Sequence, residues 1–101
     1  MKNNCIPVGS RKNIECERIL YFQSDSNYTK VFLVDGKMFL SSTTLKTIES
    51  RLFRNPEFLK INRGIVINRN HVKHYRQDTV ELLNDLILVV SRRRKTHLNI
   101  N

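Results

Sequence analysis

Short runs of β-branched and aromatic residues, separated by polar residues, recur along most of the chain and predict a series of strands. The first two runs cover residues 19–22 and 28–34, and the polar stretch 23–27 between them predicts a loop. Asp35-Gly36 follows the second run, and this dipeptide supplies the positive φ angles of a type I′ turn. The sequence therefore predicts a hairpin there, with its returning strand over 37–41.

One segment has the apolar spacing of a helix instead of a strand. The helix is predicted over residues 43–54, because three apolar side chains at i, i+3 and i+7 fall on one helical face: Leu45, Ile48 and Leu52. Ser42 or Thr43 can cap its start, since a hydroxyl oxygen accepts a free backbone N–H there. Asn55-Pro56 ends it, because proline lacks the N–H that would continue the helix. We interpret the apolar stripe as core packing.

The chain after Pro56 predicts a β meander. Its short apolar segments lie at 58–61, 65–67, 72–75 and 80–83. Asn84-Asp85 predicts a turn into a last strand over 86–90, and the unbroken apolar run of this strand predicts burial on both faces. Asn68 is interpreted as a structural residue that satisfies backbone groups at a turn.

The length of 101 residues suits one folding unit, since a core of this size cannot be divided and still offset the entropy of ordering the backbone. No repeat or linker interrupts the pattern, so we expect a single domain over residues 1–101, with 1–9 as a poorly ordered or edge segment. The sequence has no run of about 18 apolar residues and no signal-peptide pattern. We therefore expect a cytoplasmic protein.

The charge is strongly basic and unevenly distributed. Eighteen Lys and Arg against nine Asp and Glu give a formal net charge of +9. Residues 1–50 hold seven basic and five acidic side chains, a balance of +2, whereas residues 51–101 hold eleven and four, a balance of +7. Four adjacent cations, residues 92–95, stand directly after the last predicted strand. Such an asymmetry is typical of a surface that binds nucleic acid.

Residue patterns for catalysis or metal binding are missing from the sequence. Its three glycines lie far apart, which excludes an ordinary P-loop or dinucleotide fingerprint. His71 and His74 are three residues apart, which in a strand places them on opposite faces, and no Cys or carboxylate completes a metal site. Cys5 and Cys16 are too few for a disulfide framework and are expected to be free thiols. The sequence therefore predicts a binding protein without enzymatic activity, metal or cofactor.

Two segments, 58–72 and 89–94, carry a resemblance to a known family when they are read with 19–22 and Thr44-Leu45 upstream. In this order and spacing they resemble the LytTR family, the DNA-binding output domain of many bacterial response regulators. The resemblance covers roughly residues 10–98. The chain departs from the family pattern at three positions: Asn62, where a His is common, Gly64, where a Ser is common, and Asn84-Asp85, where a Gly is usual.

The resemblance implies a mainly β fold, an elongated sandwich of short antiparallel sheets with one amphipathic helix and a short C-terminal helical turn. It also implies sequence-specific binding of duplex DNA for transcriptional regulation, through loops that enter two successive major grooves and the intervening minor groove. We expect direct repeats as the target, with two copies of the chain side by side as a homodimer on DNA. The whole chain is expected either to stand alone or to be the end of a longer response regulator.

The resemblance assigns DNA contacts to three regions. The first reading loop is 25–30, where Asn27, Tyr28, Thr29 and Lys30 are the contact candidates, and the central contact is Asn62-Arg63. Arg63 suits a narrow minor groove, whose negative potential favours a cation. Arg92 is the candidate for reading guanine, because its guanidinium can donate two parallel hydrogen bonds to O6 and N7. The phosphate contacts are then assigned to its neighbours Arg93, Arg94 and Lys95, since adjacent cations cannot all reach base edges.

Two other functions stay open at this point. A basic RNA-binding β protein would stack unpaired bases on exposed aromatics, for which Tyr28 and Tyr75 are the candidates. A protein-interaction module would pair its positive charge with an acidic partner. Competition between duplex and single-stranded nucleic acid separates the first of these from duplex DNA binding.

Overall fold

The computed structural model describes residues 4–9 and 11–94, and this part of the chain is mainly β. Its strands, in chain order, are β1 Cys5–Pro7, β2 Asn13–Glu15, β3 Ile19–Asp25, β4 Tyr28–Leu33, β5 Met38–Ser41, β6 Phe58–Asn62, β7 Ile65–Asn68, β8 Val72–Tyr75, β9 Thr79–Leu82 and β10 Ile87–Val89. The helix α1 spans Leu45–Ser50, and 3₁₀ turns lie at Cys16–Arg18 and Arg69–His71. Residues 92–94 have helical backbone.

The strands of the described residues form three antiparallel sheets. β1 and β2 form a two-stranded sheet, the order β5-β4-β3-β7-β6 forms a five-stranded sheet, and β10-β9-β8 forms a three-stranded sheet. The predicted meander after Pro56 is confirmed for the pairs β6–β7, β8–β9 and β9–β10, but it is interrupted between β7 and β8, because β7 pairs with β3 and β8 begins a new sheet. Apolar runs indicate where strands lie, but the partner of each strand is decided by which faces can be buried together.

The five-stranded sheet lies between two apolar clusters, which confirms the predicted sandwich of short antiparallel sheets. On one face Phe22 belongs to a cluster with α1 and the two-stranded sheet. On the other face Tyr21 belongs to a cluster with the three-stranded sheet, and its ring stacks on Phe32 at 4.4 Å between centroids. Neighbouring residues of β3 reach opposite clusters because strand side chains alternate between faces. The described chain measures 37 × 32 × 25 Å.

The amphipathic helix is present but shorter than predicted. Its cap is Thr44, whose hydroxyl accepts the backbone N–H of Thr47, and not Ser42 or Thr43. Thr44 has the extended backbone of a cap residue, and Thr43 precedes it with its backbone N–H donating to Ser41 Oγ at 3.0 Å. The helix ends at Ser50, although Leu52 remains buried. The apolar spacing continues into the following turns, which is why it predicts a helix that is too long.

The polar stretch 23–27 is mostly strand and not a loop. β3 continues to Asp25, which pairs with Tyr28 of β4, so that only Ser26 and Asn27 form the turn. Ser26 has a positive φ of 58°. This end of the hairpin projects into solvent, and polar side chains there are compatible with a backbone ladder that needs only N–H and C=O groups.

Two other hairpin turns share one geometry. In the first, Leu33 N–H donates to Lys37 O at 2.8 Å, and Gly36 alone in the dipeptide Asp35-Gly36 has positive φ, at 90°. The hairpin is therefore confirmed, but the turn is a three-residue loop with glycine in the left-handed position instead of type I′. In the second turn, which joins β9 to β10, Asp85 takes the left-handed position that Gly36 takes in the first, with φ 68°.

Asp85 also makes the β9–β10 turn the site of an exposed ion pair. Its carboxylate lies 2.6 Å from Lys73 Nζ of β8. The hydrogen bond and charge of Lys73 lower the pKa of Asp85, and those of Asp85 raise the pKa of Lys73. The predicted turn at Asn84-Asp85 is confirmed, with an aspartate in a conformation that glycine adopts more readily.

The last strand is buried on one face only, which contradicts the prediction of burial on both. Ile87 and Val89 are 57% and 63% exposed, whereas Leu88 packs against the core cluster that contains Val90. β10 is an edge strand of the three-stranded sheet, and only one face of that sheet packs against the five-stranded sheet. A sequence run cannot distinguish this arrangement from a sheet covered on both sides.

The two free cysteines differ in environment. Cys16 is buried at 2% exposure, whereas Cys5 is half-buried in β1. Burial, and to a smaller extent the nearby Glu57 carboxylate, raises the pKa of the Cys16 thiol to about 11. Two pKa units correspond to about a hundredfold smaller thiolate fraction.

Iodoacetamide at pH 8 should therefore modify Cys5 in the folded protein and leave Cys16 unmodified until urea unfolds the chain. The reason is that alkylation requires an accessible thiolate, which Cys16 lacks in the native state. Peptide mass spectrometry over a time course measures both sites in one sample. Equal rates at the two cysteines under native conditions would contradict this expectation.

Candidate nucleic-acid interface

The tip of the β3–β4 hairpin is an exposed polar turn. Ser26 and Asn27 form the turn itself, and Tyr28 is 49% exposed beside it. Lys30 follows two residues later in β4, and its ammonium is 3.7 Å from the Asp25 carboxylate. This arrangement presents an amide, a phenol and an ammonium on one narrow projection, which we call the hairpin tip (Asp25–Lys30).

Thr29 belongs to the hairpin tip by position but not by orientation. Its side chain is fully buried, and its hydroxyl donates to Thr43 O at 2.7 Å. This bond connects β4 to the residue that precedes the α1 cap. Thr29 is therefore not part of the exposed surface, whereas Asn27 and Tyr28 are exposed and Lys30 is half-buried.

The β6–β7 turn lies directly beside the hairpin tip. Ser24 N–H donates to Gly64 O at 2.9 Å, and a Cβ on Gly64 would lie 2.9 Å from Ser24 Oγ. The absence of a side chain at Gly64 thus permits close approach of the two turns. Arg63 stands at the apex of the turn and is exposed.

Asn62 has its amide groups bonded within the protein. Its Nδ2 donates to Val89 O at 2.8 Å, and its Oδ1 accepts the backbone N–H of Gly64 at 2.9 Å. The residue thus connects the β6–β7 turn to the end of β10. Its partners hold Arg63 and the C-terminal segment in fixed relative positions.

The segment after β10 is held against the edge of β6. Val90 is buried, and Ser91 N–H donates to Ile61 O at 2.8 Å. Ser91 Oγ then accepts the backbone N–H of Arg94 at 3.3 Å, as a cap of the helical backbone over 92–94. Arg92 and Arg93 are exposed, Arg94 is half-buried, and Lys95 lies outside the described residues.

These segments together form a cavity of about 300 Å³ that we call the basic pocket. Its lining consists of Lys60, Arg63, Ser91, Arg93 and Arg94. The described lining contains four cations and no carboxylate, so a positive potential is concentrated in a concave surface. Such a surface attracts phosphate groups and other anions.

The structure brings three of the sequence-predicted residues together in the basic pocket: Arg63, Arg93 and Arg94. Arg92 is exposed beside the pocket and does not line it. Lys60 also lines the pocket and was not among the predicted contact residues. A signal for it existed, because Lys60 is the only charge in the apolar run 58–61, and a cation within a predicted strand needs a partner or a function.

The described residues show neither a metal cluster nor a membrane-spanning helix. No group of three or more His, Cys, Asp or Glu side chains in the described part could hold a metal ion. His71 ends a 3₁₀ turn, and its Nε2 lies 2.7 Å from Glu17 O, whereas His74 lies in β8. In the same part of the chain, no helix is long and apolar enough to cross a bilayer.

A comparison with solved structures finds the same fold. The LytTr DNA-binding domain of a methyl-accepting/DNA response regulator from Bacillus cereus superposes with a TM-score of 0.76. The match covers 96% of this chain and 94% of that chain, at 14% sequence identity. It therefore supports the fold alone, and it confirms the mainly β architecture expected from the sequence.

A comparison with protein families gives the assignment. No curated protein matches the chain. The family model described as the LytTr DNA-binding domain matches residues 9–100, which is nearly the whole chain and includes the hairpin tip, the β6–β7 turn and the basic pocket. The resemblance seen in the sequence is thus confirmed, and the chain belongs to the LytTR family of DNA-binding domains.

Proposed function

We propose that this LytTR domain binds duplex DNA sequence-specifically, as a transcriptional regulator, through the basic pocket and the adjacent hairpin tip. The observation that carries the proposal is the convergence of Arg63, Arg93 and Arg94 on one pocket from segments about thirty residues apart. Three cations with no carboxylate in the described lining suit the closely spaced phosphates of a duplex. Arg63 also lies at an apex that can enter the minor groove.

The two flanking regions supply base contacts in this proposal. The hairpin tip with Asn27, Tyr28 and Lys30 lies beside the β6–β7 turn that carries Arg63, and the exposed Arg92 follows Ser91, which bonds to β6. The longest dimension of the described chain is 37 Å, close to the roughly 34–36 Å of one helical turn of B-DNA. A domain of this length can extend over about one turn of the duplex, and we propose that the hairpin tip and Arg92 contact successive major grooves, with Arg63 in the minor groove between them.

Fluorescence anisotropy against a selected duplex, a scrambled duplex and a single-stranded RNA at several salt concentrations tests the proposal. Selective duplex binding that weakens steeply with salt is expected. Stronger binding to the single strand would favour the RNA alternative, in which the exposed Tyr28 and Tyr75 stack bases. Selection from a random duplex library would also show whether the preferred site contains direct repeats for two copies.

Arg92→Ala should weaken binding to the selected duplex by about 1–3 kcal/mol and relax base preference at one position. The matched variant is Arg92→Lys, which keeps the charge but cannot form two parallel hydrogen bonds to guanine. If Arg92 reads a base, Arg92→Ala loses discrimination at that position and Arg92→Lys loses part of it. Wild-type discrimination in Arg92→Ala, with a uniform loss of affinity for all sequences, would assign Arg92 to a phosphate. Competition anisotropy with single-base variants of the site measures the difference.

A further inference from the structure

One residue that lines the basic pocket, Lys60, forms an ion pair with helix α1. Lys60 Nζ of β6 is 2.9 Å from Glu49 Oε2 of α1. The side chains are only 25% and 29% exposed. They also line a smaller cavity of about 160 Å³ whose other walls are mostly apolar: Leu52, Phe53, Phe58 and Val66. Lys60 is thus shared between an apolar cavity that contains its carboxylate partner and the basic pocket that contains its fellow cations.

This ion pair is less solvated than the shortest ion pair among the described residues, Lys73–Asp85. Lys73 and Asp85 are 2.6 Å apart, but their side chains are 44% and 72% exposed. Salt screens exposed pairs strongly and partly buried pairs much less. The Glu49–Lys60 attraction should therefore persist at salt concentrations that largely screen the attraction between Lys73 and Asp85.

The ion pair reduces the number of uncompensated positive charges that the basic pocket presents to a phosphate. Four cations line the pocket, but the charge of Lys60 is compensated by Glu49 within the chain. A phosphate that approached Lys60 would have to compete with a carboxylate already at hydrogen-bond distance. Arg63, Arg93 and Arg94 have no such competitor in the described lining of the pocket.

We propose that Glu49 holds Lys60 back from the DNA phosphates and thereby limits the sequence-independent part of DNA binding. This inference rests on the proposed function, since it assigns a positioning role to a residue behind the same surface. Competition between a carboxylate and a phosphate does not depend on base sequence. Glu49 therefore lowers affinity for every duplex alike and leaves the preference between sequences unchanged.

Glu49→Gln tests the inference, because glutamine keeps the shape of the side chain and removes its charge. With Lys60 released to a phosphate, the slope of log Kobs against log salt should become steeper by about 0.9. At 0.1 M salt this corresponds to about eightfold tighter binding, equally for the selected and the scrambled duplex. Glu49→Ala, which also lacks the amide oxygen, should give the same gain.

Two further variants separate a specific effect from a change in net charge. Asp85→Asn removes one negative charge from the exposed pair at the opposite end of β10, and it should leave the slope unchanged. Glu49→Gln combined with Lys60→Gln should lose the gain, because the released cation is absent. Urea unfolding confirms that each variant is folded before binding is measured.

The outcomes distinguish the inference from the function on which it rests. If the wild type fails to bind any duplex, both are overturned. If the wild type binds but Glu49→Gln and Glu49→Ala leave the slope unchanged, only the inference is overturned. It is equally overturned if Asp85→Asn produces the same steepening, or if the double variant retains the gain. A steeper slope in the Glu49 variants that requires Lys60 supports it.

Discussion

Asn68→Ala should lower the free energy of unfolding by about 3 kcal/mol, since each buried polar group left without a partner costs about 1–3 kcal/mol. Asn68 is fully buried at the end of β7. Its Nδ2 donates to Cys16 O at 3.1 Å and to Ile19 O at 2.9 Å, and its Oδ1 accepts the backbone N–H of Asn70 at 2.9 Å. Alanine would remove all three bonds and leave a small cavity.

Urea unfolding followed by circular dichroism measures this loss as a lower midpoint at constant slope. Asn70→Ala is the matched control, because Asn70 lies in the same 3₁₀ turn, is exposed and contributes its backbone N–H rather than its side chain to the bond. It should change stability by less than about 0.5 kcal/mol. A similar loss for both variants would show that the turn, and not the buried amide, is the origin of the effect.

The structural role of Asn68 is one of the predictions that the sequence supported and the structure confirms. An asparagine after an apolar run and before further polar residues is typical of a turn, where its amide bonds to neighbouring backbone. The bond to Asn70 is of this local kind. The bonds to Cys16 and Ile19 span about fifty residues, and no local pattern could have predicted them.

The strands after β3 were predicted to within one residue at each end. β8 was expected at 72–75 and lies at Val72–Tyr75. The errors occur where tertiary context decides. The residues 23–25 form strand despite their polar side chains, because β4 pairs with them, and β10 exposes Ile87 and Val89 because nothing in the described chain covers its outer face.

In the candidate site, too, some residues were predicted from the sequence and others depend on tertiary contacts. The charge pattern identified the cations of 92–95, the family resemblance assigned Arg63, and the structure brings Arg63 to Arg93 and Arg94. The resemblance also placed Thr29 and Asn62 among the contact candidates by position, but their side chains bond within the protein. The Glu49–Lys60 pair joins a helix to a strand that pack together only in the folded chain.

Replacement of the three arginines of the basic pocket by glutamine should have the largest effect on DNA binding. If Arg63, Arg93 and Arg94 each contact one phosphate, the slope of log Kobs against log salt should become shallower by about 2.7. At 0.1 M salt this corresponds to a loss of affinity on the order of several hundredfold. The loss should be equal for selected and scrambled duplexes, because phosphate contacts carry no direct sequence information.

The matched control removes three cations from the other end of the five-stranded sheet. Arg18, Lys37 and Arg69 are exposed and lie beyond the ends of strands that are remote from the hairpin tip. β3 alone has seven residues, or about 23 Å at 3.3 Å per residue, which exceeds the Debye length of about 10 Å at 0.1 M salt. The control variant should therefore keep nearly the wild-type slope. Equal losses in the two triple variants would mean that net charge, and not the basic pocket, accounts for binding, whereas a loss confined to the pocket variant locates the phosphate contacts there.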